Sequence, residues 1–88
     1  MIINILSGLR GHLVEFVADS PARVTEQARL DGYAIIRRED PVFKDSPYST
    51  HALYTNPEGQ QVAEAGHYDL NLEDARADLD RRTGRNQR

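Results

Sequence analysis

The stretch Tyr54-Thr55-Asn56-Pro57-Glu58-Gly59-Gln60-Gln61-Val62 constrains the fold more than any other. Pro57 presets φ for the first central position of a type I turn, and Gly59 accepts the positive φ that follows. Together they specify a three-residue hairpin loop closed by a glycine bulge. The loop fixes a register with Asn56 opposite Gln60, Tyr54 opposite Val62, Leu53 opposite Ala63 and His51 opposite Ala65. Strict alternation then puts Tyr54, Val62, Ala52 and Tyr68 on one face, and Leu53, Ala63, His51, Ala65 and His67 on the other. The tyrosine–valine face is expected to point inward.

A helix is expected after the hairpin, over "LNLEDARADLDRRTG". Asn71 can cap it, Asp74 stands where a capping-box acid belongs, and Leu70 can staple against Ala75. Leu72, Ala75 and Leu79 form a narrow apolar stripe. Glu73, Asp74, Asp78 and Asp80 are expected to face outward, and Arg81 and Arg82 suit the negative end of the helix dipole.

Upstream, residues 1–6 and 12–18 are apolar runs rich in β-branched and aromatic side chains and predict two strands, although residues 1–6 also suit a short helical arm. "DSPARVTEQARLDGY" predicts a helix, with Ser20 as cap, Pro21 at the first helical position, Val24, Gln27 and Ala28 on one face, and Gly32 as the stop. "YAIIRRE" predicts a strand. Residues 40–49 carry Pro41 and Pro47 and predict a loop, since a proline cannot donate to a ladder. The expected order is β-β-α-β-β-β-α. It is an α+β domain over residues 1–82 with one mostly antiparallel sheet, two helices on one face, and a flexible basic tail at 83–88.

Composition narrows the function. Ile, Leu, Val and Phe make up 20 of 88 residues, and 13 of those lie in the first 36, so the core is small and a second copy could complete it. Cysteine is absent, which removes disulfides and thiolate chemistry and suits a cytoplasmic setting. A net charge of −3 gives no field to attract nucleic acid or an anionic membrane. The opening "MIINILSGLR" has neither the length of a membrane span nor the flanks of a signal peptide.

No constellation of residues specifies chemistry. His51 and His67 share an expected face, but a zinc site needs further ligands that no nearby residue supplies. Ser49, His51 and Asp69 hint at a hydrolase, yet no strained nucleophile turn accompanies them. No metal, cofactor or catalytic group is therefore expected.

From residue 21 the expected α-β-β-β-α order resembles that of double-stranded-RNA-binding domains, which present a basic end of the last helix to phosphates. Here that end reads "NLEDA", which argues against direct nucleic-acid binding. "NLEDARADL" also resembles the "TLEEA" helix start of HicB-type antitoxins through its capping box. The glycine and aromatic pattern that precedes it in those proteins is missing.

The leading expectation is a small non-catalytic protein-binding module. It would occupy a basic surface of a larger protein or ribonucleoprotein, as phage- or mobile-element-encoded inhibitors of the anti-CRISPR kind do. Glu73, Asp74, Asp78 and Asp80 would form an acidic helix face, and Val42, Phe43 and Tyr48 would anchor from a proline-stiffened loop. The alternative is a nucleic-acid-binding or toxin-neutralising regulator that uses Arg37, Arg38, Lys44 and the basic tail residues Arg81, Arg82, Arg85 and Arg88.

Overall fold

The computed structural model describes residues 2–4, 10–24 and 28–84. Among the described residues there are five strands followed by one helix: β1 (Ile2–Asn4), β2 (Arg10–Val24), β3 (Arg29–Arg38), β4 (Tyr48–Thr55), β5 (Gln61–Leu70) and α1 (Leu72–Thr83). The strands form a single antiparallel meander in the order β1-β2-β3-β4-β5. No helix among the described residues is long and apolar enough to cross a membrane.

The expected helix beginning at Ser20 is replaced by strand. β2 continues to Val24, β3 starts at Arg29, and Val24 pairs with Arg29, while residues 25–27 lie outside the described residues. Pairing along two long strands outweighs a local preference that rested on a cap, a stop and a narrow stripe. Both punctuating residues have another use. Pro21, with no amide to give, falls in the irregular stretch between the Ala18–Gly32 and Arg23–Leu30 pairs. Gly32 is needed because a Cβ there would strike the Val17 carbonyl and the Phe16 ring.

The first expected strand is present as Ile2–Asn4; the rest of residues 1–6 lies outside the described residues. Tyr48 and Ser49, expected in the loop, open β4.

β4 is buried along both faces from Ser49 to Leu53. On one side α1 lays Ala75 and Leu79 over Ile35, with Val17, Tyr33, Tyr48 and Leu70 around them. On the other side Ala34, Ile36, Leu53 and Ala63 pack together with Leu13. Both faces of the hairpin are therefore covered in part, and Ala52 is buried on the face expected to point inward. Leu53 and Ala63 are buried, whereas Tyr54 and Val62 are half-buried at the hairpin end.

The NPEG turn forms as its residues dictate. Asn56 donates its amide to Gln60 O at 2.9 Å, Gly59 donates to Asn56 O at 2.9 Å, and Gly59 takes φ 82°. The Asn56 carboxamide oxygen accepts from the amides of Glu58 and Gln60, closing the loop from inside. α1 is capped at both ends. Asn71 Oδ1 accepts from the Asp74 amide at 2.8 Å, and Gly84 at φ 74° returns its amide to Asp80 O. The helix runs to Thr83, one residue past the expected domain boundary, and residues 85–88 of the expected tail lie outside the described residues.

Beyond the hairpin, β5 departs from the simple register. Ala52 faces Glu64 as alternation requires, but Thr50 faces His67 and Tyr48 faces Leu70. Two irregularities each insert one residue, and left-handed residues lie in the two stretches: Ala65 at φ 51° and Asp69 at φ 58°. The insertions cancel in face and add in register. Leu70 keeps the side that alternation assigns it, while His67 and Tyr68 exchange sides.

Candidate functional site

Three groupings of polar or exposed side chains stand out. The first is the knot between α1 and the sheet. Asp78 is only 7% exposed, contrary to the expectation of an outward acid. Its Oδ2 accepts from the Thr50 hydroxyl and is 2.8 Å from His67 Nδ1; its Oδ1 is 3.2 Å from Arg81 Nη2. Arg82 Nε lies 3.9 Å from Oδ2, and Arg82 also donates Nη2 to the Ala65 carbonyl and stacks over the Tyr33 ring. Burial pushes the Asp78 carboxyl up, but the Thr50 and His67 hydrogen bonds and the charges of His67 and Arg82 outweigh it and hold the pKa below the usual carboxylate range. The Asp78 charge, expected to face outward, is thus answered inside the chain.

A sequence signal for this existed. Ala75, Asp78, Leu79 and Arg82 follow the i, i+3, i+4, i+7 spacing of one helix face, so Asp78 belongs to the stripe that packs.

The second grouping lies on the opposite face of the sheet. His51 Nε2 is 2.8 Å from Ser49 Oγ, and both residues are buried. The Tyr68 ring meets His51 edge-on at 5.2 Å, with Arg38 stacked 5.2 Å over the tyrosine. Gly66 leaves room for this, since a Cβ there would come within 2.8 Å of both rings. Burial, reinforced by the charges of Arg82, Arg38 and His67, pushes the His51 pKa down to about 4. The expected sharing of a face by His51 and His67 is overturned by the first bulge, which puts them on opposite sides. Asp69, weighed with Ser49 and His51, is exposed in the second irregular stretch. Among the described residues no group of three or more His, Asp or Glu is arranged to hold a metal.

The third grouping is the loop between β3 and β4. Val42 is 72% exposed and Phe43 59% exposed, the two most exposed large apolar side chains described. Their backbone is pinned: Ser46 donates its amide to Phe43 O at 3.0 Å, and Arg38 donates to Pro47 O at 2.8 Å. Tyr48, expected beside them, instead packs into the core under α1. The Tyr48–Leu70 pairing places the start of α1 at the same end of the sheet as this loop. Exposed Glu73 and Asp74 therefore join exposed Asp40 and Asp45 at that end, against Lys44. Asp80 is half-buried and lies further along the helix.

The arginines are unevenly placed for an outside ligand. Arg37 is exposed, but Arg38 stacks on Tyr68, Arg81 bonds Asp78, and the Arg82 side chain is only 12% exposed. Arg85 and Arg88 lie outside the described residues.

Comparison of the chain with protein-family models, with curated proteins and with solved structures finds no match in any of the three.

Proposed function

We propose that the protein is a non-catalytic binding module that occupies a surface of a larger protein or ribonucleoprotein, through the sheet end that carries Val42 and Phe43. One observation carries the reading: two adjacent large apolar side chains stand in water on a turn held by backbone hydrogen bonds. A pre-set aromatic loses little conformational freedom on docking, and such anchors dominate many interfaces. Asp40, Asp45, Glu73 and Asp74 at the same end favour an apolar pocket rimmed by Lys or Arg. Asp78 is withdrawn from the acidic surface expected of the helix, so Glu73 and Asp74 represent that surface here. The geometry adds nothing that points to the narrower inhibitor class expected from composition.

Capture from a lysate of the source cell, followed by mass spectrometry, would identify the partner. Phe43→Ala is then expected to weaken binding by about 2 kcal/mol with an unchanged circular dichroism spectrum. Glu73→Lys with Asp74→Lys is expected to slow association and reduce its salt dependence. A Phe43→Ala protein that binds as well as the wild type would overturn the proposal.

A further inference from the structure

Ala65 and Asp69 hold left-handed conformations in the two irregular stretches of β5. For a residue with a Cβ this is unfavourable, less so for Asp than for Ala. Such strain persists where the surroundings over-determine it. Around Ala65 the determinants are visible: Arg82 donates to its carbonyl, and His67 reaches Asp78. Both partners belong to α1, so docking of the helix holds the strained register of the strand.

We infer that β5 is a two-register strand, latched in the bulged register by Asp78 and Arg82. Releasing the latch lets it slip by two residues into unbroken pairing with β4. In that second register the alternation set by the NPEG turn continues past the Ala52–Glu64 pair, so that His67 faces Ser49 and Tyr68 faces Tyr48. His67 leaves the helix side, Tyr68 takes it, and both left-handed residues relax. Leu70, Asn71 and the start of α1 advance past Tyr48 by two residues, about 7 Å at strand spacing. Glu73 and Asp74 are then carried outward from their present positions at the end that presents Val42 and Phe43. The slip is a property of the chain itself and stands whether or not that end binds a partner.

The opposing terms are comparable. The bulged register gains two contacts to α1, while the unbroken one relieves two backbone strains and restores ladder hydrogen bonds. A minor state is therefore expected in the wild type, with millisecond exchange in relaxation-dispersion NMR at the amides of residues 65–70 and along α1. Ala65→Gly removes the left-handed penalty from the bulged register and should reduce the minor population several-fold. Asp78→Asn with Arg82→Gln should raise it. Cross-strand NOEs from Tyr48 to Tyr68 and from Ser49 to His67 should then appear beside, or replace, those from Tyr48 to Leu70 and from Thr50 to His67. A folded double variant with only the original NOEs overturns the inference. If that variant unfolds, the wild type decides: no exchange at residues 65–70, or exchange that Ala65→Gly leaves unchanged, also overturns it.

Discussion

His67 and Asp78 meet at 2.8 Å across the seam between β5 and α1, although an unbroken strand would turn His67 to the far side of the sheet. The contact depends on one inserted residue in the strand and one carboxylate on the packing face of the helix. It ties the last two elements of the chain together by polar bonds where the apolar seam is only a few side chains wide.

Removal of that carboxylate should be costly. Asp78→Ala leaves the Thr50 hydroxyl without its acceptor and Arg82 without its ion-pair partner, and a loss of about 3 kcal/mol is expected from urea unfolding at pH 7. The acid side has a definite sign. A carboxyl held below its unfolded pKa contributes stability that is present above that value and is lost as pH falls through the folded one. Below about pH 4 the Asp78→Asn protein should therefore lose stability less steeply than the wild type.

His51 sets a second acid dependence at milder pH. Its folded pKa of about 4 lies below the ordinary histidine value, so between the two the unfolded chain binds a proton that the folded one refuses. Stability is full above about pH 6.5 and falls as pH drops toward 4, by an amount on the order of 3 kcal/mol. Thermal melts at pH 7.5 and 5 should show the drop, and His51→Phe should flatten it even if the variant starts lower.

Leu79 is the principal apolar plug of α1, fully buried against Ile35. Leu79→Ala is expected to cost about 3 kcal/mol in denaturant unfolding. Glu73→Gln, one turn or more away on the exposed side, should change stability by less than about 0.5 kcal/mol.

Two glycines separate crowding from backbone strain. Gly32→Ala drives a methyl into the Val17 carbonyl, which the β2–β3 ladder holds in place, so a loss above about 2 kcal/mol is expected. Gly59 has φ 82° and open space around it, and Gly59→Ala should cost only about 1 kcal/mol. Chemical unfolding of the two variants side by side tests the ranking.

What could be read in the sequence was local. The NPEG turn, the Tyr54–Val62 and Leu53–Ala63 pairs, the Asn71 cap and the closing helix each follow from residues within a few positions of one another. The helix expected from Ser20 failed because pairing of β2 with β3 is non-local and overrides a weak stripe. No turn signature marks the bulges: Ala65 is an ordinary residue for a half-exposed strand, its conformation accompanied by a bond from Arg82 of α1, and a lone Asp69 specifies no turn by itself. Tyr48 looked like a loop aromatic only because Pro47 precedes it. Helix spacing alone assigns Asp78 to the packing face, against the outward position that its polarity suggests.

The kinks of β5 also bear on how the molecule behaves in a crowd. β5 stands last in the sheet order, where a straight, evenly spaced border would template further chains and invite fibrous growth. Two interruptions and the exposed Glu64 and Asp69 leave only a short regular run from Gln61, too brief to seed such stacking.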